Sequence, residues 1–207
     1  RYFDIRIGTI DSVATFLFPR VVEPLRTQFP KLALRLATAR TAVLKERLEA
    51  GELDLAIVAH SGAPKGLPSV HLGAYPLRYF GRKDRFPQLK NVNRPEALHA
   101  FPIVELDPGP GQIELRTEAS QSHALASNIA TVKALVLSGF GVGDLADFML
   151  SNEERRLLVA APFTHDPNCG LFLVRSEAWG GRTELKLVEA IAVSMRDQLQ
   201  PHFPPKR

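Results

Sequence analysis

Apolar and polar positions are patterned most clearly over residues 31 to 58, KLALRLATARTAVLKERLEAGELDLAIV. Leu32, Leu34 and Leu36 alternate with Ala33, Arg35 and Ala37, the period of two of a strand with one well-buried face, and the polar cluster Thr38 to Thr41 ends it. From Ala42 to Ala50, Leu44 and Leu48 recur one turn apart among Lys45, Glu46, Arg47 and Glu49, which predicts an amphipathic helix. Gly51 is placed to close that helix in a left-handed conformation. Leu53 to Ala59 then reads LDLAIVA, apolar on both faces, as in a parallel strand covered from either side. Strand, helix and strand make a βαβ unit, and a ligand-binding α/β domain is the expectation.

The same reading extends along the chain. Arg6 to Ile10 is a short strand, and Asp11-Ser12 caps a helix whose apolar residues are Val13, Phe16, Leu17, Val21, Leu25 and Phe29. Pro19 and Pro24 each remove a backbone donor, so this helix either starts late, with Pro19 in its first turn, or kinks. Residues 60 to 68 are a loop. The extended run from Ser69 to Arg82 breaks at Tyr75-Pro76, where the chain is expected to cross into a second lobe. There follow a short helix at Pro95 to His99, a strand at Phe101 to Leu106, a loop from Asp107 to Gly111, and strands at Ile113 to Thr117 and His123 to Ala126. Ser127-Asn128 caps a helix bearing Ile129, Val132, Leu135 and Val136, stopped by Gly139. Strands at Leu157 to Ala160 and Gly170 to Val174 come next, the second crossing back. The last helix, Leu185 to Leu199, carries Leu187, Val188, Ile191, Val193, Met195 and Leu199. The expected lobes are residues 1–75 with 175–207 and residues 76–174, the carboxyl ends of their strands facing one cleft.

Composition narrows the choice. A chain of 207 residues, 45% hydrophobic and 23% charged, has enough apolar surface for a core and is too balanced for disorder. One cysteine, Cys169, forms no internal disulfide, which suits a reducing cytoplasm. No run reaches the roughly 18 apolar residues of a membrane span. The 26 basic and 22 acidic residues are scattered, without the basic stripe or helix-turn-helix pattern of a DNA-binding module. The net charge of +4 is either a mild bias towards small anions or ordinary surface variation.

Three segments carry a family resemblance: IRIGTIDSVATFLFPRVVEPLRTQFP at 5–30, RTAVLKERLEAGELDLAIV at 40–58 and SNIATVKALVLSGFGVG at 127–143. Together they resemble the effector-binding domain of LysR-type transcriptional regulators, and the likeness spans almost the whole chain. It implies two Rossmann-like lobes joined by two crossover strands, similar to type 2 periplasmic binding proteins. It also implies a cytoplasmic regulator that binds a small metabolite in the cleft, forms dimers or tetramers, and contacts DNA only through an N-terminal winged helix-turn-helix outside these residues. Leu145-Ala146, where the family often has Leu-Pro, is a local departure. A periplasmic solute-binding protein of the same fold is the alternative.

Candidate site residues follow from topology. The helix starts near Ser12, at Thr41 and at Ser127-Asn128 each offer unpaired N–H groups and a positive dipole end to a carboxylate or phosphate, and each hydroxyl either caps its helix or binds ligand. The resemblance implies that these are effector-contact positions. Thr9 and Ala59-His60 end their strands at the same edge, His60 being either a site residue or a surface loop residue, and Arg40 is either a bidentate partner for an anion or a solvated turn residue. Pro102 and Ile103 are expected to line the opposite wall, and Phe140 to cover a ligand or join the core. Gly139, Gly141 and Gly143 follow a helix, whereas a phosphate-binding fingerprint follows a strand, so no nucleotide site is expected. His165, Asp166 and Cys169 are separated by Pro167 and make no catalytic set. One cysteine with scattered histidines makes no zinc site. No cofactor, metal or catalysis is expected.

Overall fold

The computed structural model describes residues 3–107 and 123–199; the strand expected over Ile113 to Thr117 lies outside them. The described elements begin with β1 (Phe3–Thr9), a π-helical turn (Val13–Leu17) leading into α1 (Phe18–Gln28), β2 (Leu32–Thr38), α2 (Thr41–Glu49), β3 (Leu55–Ser61) and β4 (Ser69–Ala74). They continue through β5 (Leu77–Arg82), β6 (Ile103–Leu106), β7 (His123–Ala126), α3 (Ile129–Ser138), β8 (Val142–Ala146), α4 (Asn152–Leu157) and β9 (Leu158–Ala160) to β10 (Cys169–Arg175) and α5 (Arg182–Leu199). The chain forms two units, Arg1–Tyr75 with Asn168–Arg207 and Pro76–Pro167.

In the first unit the strand order is β2-β1-β3-β10-β4. β1 runs parallel to β2 and β3, while β10 is antiparallel to β3 and β4. Leu55 to Val58 are all buried because β3 is central and covered on both faces. Leu44 and Leu48 of α2 fill a cluster with Leu53, Ala56, Val58, Phe172 and Val174, and Gly51 closes the helix at φ 70°. α1 packs beside α5. Pro19 stands in the first turn of α1 and Pro24 inside it, behind the π-helical turn, so the late start occurs and the preceding segment is helical as well.

Two expectations about burial are corrected. The leucine face of β2 is not well buried: Leu36 is 42% exposed, because β2 is the edge strand and has a neighbour on one side only. On α5 the apolar stripe uses Val188, Ile191, Ala192 and Met195, spaced i, i+3, i+4 and i+7, which leaves Val193 outside it and exposed. The return to the first unit falls at Pro167/Asn168, not at 174/175, since β10 is paired along its length within the first sheet.

The second sheet has the order β7-β6-β8-β5-β9, with β7, β6 and β8 parallel. β8 is an addition to the expected elements, since the sequence places no strand directly after the helix stop at Gly139. Gly139 does end α3 at φ 81°, but Gly141 and Gly143 serve close packing. A Cβ on Gly143 would lie 2.7 Å from Val136 Cγ2 and 3.0 Å from the Val104 carbonyl. The glycines stand between a helix and a strand, the reverse of a phosphate-binding fingerprint. On one side of this sheet Tyr79, Leu89, Val92, Leu98, Phe101, Ile103, Val142 and Ala161 make a core.

Candidate functional site

In the first unit, the carboxyl ends of β1 and β3 meet the start of α2. Ala39 donates its N–H to the Thr9 carbonyl at 3.2 Å and Ile10 to that of Ile57 at 3.4 Å, holding the two strand ends and the turn together. Arg40 occupies the cap position of α2 in an extended conformation, with no side chain capping the helix. Thr41 therefore sits inside the first turn, not at the cap as expected. Its hydroxyl donates to the Ala59 carbonyl at 3.1 Å, which ties α2 to β3. The first-turn N–H groups, lacking a side-chain cap, remain suited to an anion. Arg40 is exposed beside them.

Ser12 is also not a cap. It has helical backbone angles, and its Oγ lies 2.7 Å from the Tyr75 hydroxyl, both side chains being buried. Tyr75 was not among the candidate residues; the sequence marked Tyr75-Pro76 only as a break in an extended run. Thr9 is 0% exposed and its Oγ1 has no hydrogen-bond partner among the described residues, so it sits beneath this edge and is not open to a ligand. His60 turns its Nδ1 to the Gly62 carbonyl at 3.0 Å.

The second unit gathers its candidates less well. Asn128 is the cap of α3, its Oδ1 accepting from the Thr131 N–H at 2.9 Å and the Thr131 hydroxyl at 3.0 Å, so this helix start is already satisfied by its own chain. Ser127 is exposed beside it. Ile103 points into the core and lines no opening there, because β6 sets Ile103 on the face packed against Leu98 and Phe101. Pro102 is half-buried, its carbonyl accepting from Val142 N–H at 2.8 Å. Phe140 is 41% exposed and joins no core. Two concavities of the first unit, about 780 and 410 Å³, lie elsewhere, around Phe29, Lys31 and Trp179 and around Leu48, Gly51 and Trp179.

Among the described residues no group of three or more histidine, cysteine, aspartate or glutamate side chains is placed to hold a metal. What the first unit does offer is an uncapped helix start, a hydroxyl anchored next to it and a second, buried hydroxyl. Uncapped first-turn N–H groups of this kind are chemically suited to a small anion.

Comparison with known proteins bears on the family and the fold. A family model described as LysR substrate binding domain matches residues 4–188. The HTH-type transcriptional regulator PecT of Dickeya dadantii is 24% identical over 212 residues, covering 97% of this chain and 64% of its own length. The DNA-binding transcriptional dual regulator OxyR of Escherichia coli is 38% identical over 163 residues, 73% of this chain and 52% of the relative. The chain thus spans between half and two thirds of these two regulators. Among solved structures, the reduced form of OxyR superposes with a TM-score of 0.71 at 25% identity, covering 98% of both chains. The reduced OxyR regulatory domain from Pseudomonas aeruginosa gives 0.71 at 22% identity, covering 93% of this chain and 96% of the other.

Proposed function

From the premise that the chain belongs to the LysR substrate-binding domain family, we propose that it recognises a small anionic metabolite at the start of α2. The observation that carries this is the helix start without a side-chain cap, flanked by Thr41 and Arg40 at the carboxyl ends of β1 and β3. Ser12 and its Tyr75 partner stand at the first helical turn after the same β1 end. In the second unit, Ser127, Asn128, Pro102 and Phe140 remain secondary candidates. The family match sets aside the periplasmic solute-binding alternative. In the full-length regulator the ligand would change the arrangement of subunits on DNA, DNA itself being held by an N-terminal domain outside these residues, and the setting is cytoplasmic. No catalysis and no cofactor are assigned to the chain; PecT and OxyR are named as transcriptional regulators.

Thermal or chemical unfolding against a panel of small carboxylates, amino acids and phosphorylated metabolites tests this directly. A ligand at a hundred times its dissociation constant stabilises by about 2.7 kcal/mol. Thr41→Ala should abolish the shift, while Thr41→Ser, which keeps the bond to the Ala59 carbonyl, should retain it. A panel with no shift, or an undiminished shift in Thr41→Ala, would remove the proposed site.

Several relatives are named for induction by hydrogen peroxide. A disulfide within a single chain is not open to these 207 residues, which hold Cys169 alone.

The partner is a second copy of the chain. β2 and β7 are edge strands, and Leu36, Leu106 and Leu125 are exposed at or beside these edges, the kind of edge that invites pairing unless covered. Sedimentation at micromolar concentration should show a dimer, and Leu36→Glu should return it to a monomer; a wild-type monomer would refute this assembly.

A further inference from the structure

β8 carries one charged residue in an otherwise apolar run, Val142-Gly143-Asp144-Leu145-Ala146. Asp144 is directly opposite Tyr79 on β5. On the other side β6 pairs Val104 with Gly143, so Glu105 and Asp144, each the next residue along, leave neighbouring strands together. Their polar surroundings are two histidines and a phenol. His123 on β7 places Nε2 3.2 Å from Glu105 Oε2. His165, from the segment after β9, places Nδ1 3.5 Å from Asp144 Oδ2 and 3.4 Å from the Tyr79 hydroxyl. The other oxygen of Asp144, Oδ1, is buried with no hydrogen-bond partner among the described residues.

No described arginine or lysine is ion-paired with either carboxylate: Arg78 and Arg155 are on Asp147, and Lys133 is on Glu154. The two carboxylates therefore depend on imidazoles for counter-charge, and histidine carries charge only in the lower part of the physiological pH range.

We propose that Asp144, Glu105, His123 and His165 form a proton-responsive cluster that makes the stability of the second unit fall as pH rises towards neutrality. Burial, with the Glu105 charge adding to it, pushes the Asp144 carboxyl up to about 7. The unfolded carboxyl titrates near its ordinary value of about 3.9. Between these two values the native state holds a proton that the unfolded chain has released, so protonation stabilises the fold. That stability is present at the acidic end, is lost as pH climbs to about 7, and changes no further above it.

The test is chemical unfolding of the 207-residue chain from pH 5 to pH 8, wild type against Asp144→Asn, whose amide mimics the neutral acid. The wild-type unfolding constant should rise relative to that of the variant by up to roughly tenfold per pH unit below pH 7, the dependence of one linked proton, and run parallel to it above. His165→Gln should move the break to higher pH, because it removes the imidazole facing the ionised form. Parallel profiles for wild type and Asp144→Asn would overturn the proposal. If Asp144→Asn does not fold, the carboxyl resonance of Asp144 in the wild-type chain decides: a midpoint near neutrality supports the cluster, and one near the ordinary aspartate value refutes it.

Discussion

Replacing Gly141 by alanine should destabilise the second unit by about 3 kcal/mol, combining an overpacking cost of roughly 1–3 kcal/mol with a weakened hydrogen bond worth about 1 kcal/mol. The new Cβ would lie 2.6 Å from the Pro102 carbonyl oxygen and 3.0 Å from its carbon. That oxygen cannot simply retreat, since it accepts the Val142 N–H at 2.8 Å and thereby sets β8 against the start of β6. The obstacle is backbone, so no rotamer change relieves it, and the strands must separate locally. In urea the midpoint should fall with the slope unchanged. Gly139→Ala makes a useful contrast. It suffers mainly from its left-handed φ of 81°, and the penalty should be roughly 1–2 kcal/mol. Equal effects at the two positions would show that close approach is not what Gly141 provides.

The contrast also explains what the sequence could and could not reveal. Residues 31 to 58 were legible because independent local signals agree there: a period of two, a period of 3.6, a glycine at the helix end and a doubly apolar strand. β8 was not, because its glycines are required by neighbours distant in sequence, Pro102 and Val104, and a single chain shows no partner for them. The leucines of β2 announced a strand correctly but not its exposure, since edge position is a property of sheet order. Around the candidate site, topology brought Thr41 and Ala59 together as expected, yet the roles of the hydroxyls came out differently. Thr41 anchors α2 to β3, Ser12 engages Tyr75, and Thr9 is buried beneath both. Asp144 did leave a trace, a carboxylate inside an apolar run; its histidines come from other strands and segments and could not be matched to it from spacing.

The packing beneath α2 gives the second large effect, and it separates support of the site from binding by it. Leu44 is 0% exposed, and its Cδ2 lies 2.5 Å from where a Cβ on Gly8 would stand. The leucine thus rests on the bare backbone of β1, and the absence of a side chain at residue 8 is what lets α2 approach. Leu44→Ala should cost about 2–5 kcal/mol, the range for deleting a buried leucine and leaving a cavity. Gly8→Ala alone should cost less, about 1–3 kcal/mol, because the atoms it meets are the ends of Leu44 and Leu53 side chains. In the double variant the new methyl enters space that Leu44 has vacated. The combined loss should therefore fall short of the sum by about 1 kcal/mol or more, as expected for residues in direct contact. Additivity in this cycle would mean that Leu53, not Leu44, sets the space over Gly8. Because the start of α2 is carried by this contact, Leu44→Ala should lower stability and ligand affinity together, whereas Thr41→Ala should lose affinity at a stability cost of only about 1 kcal/mol.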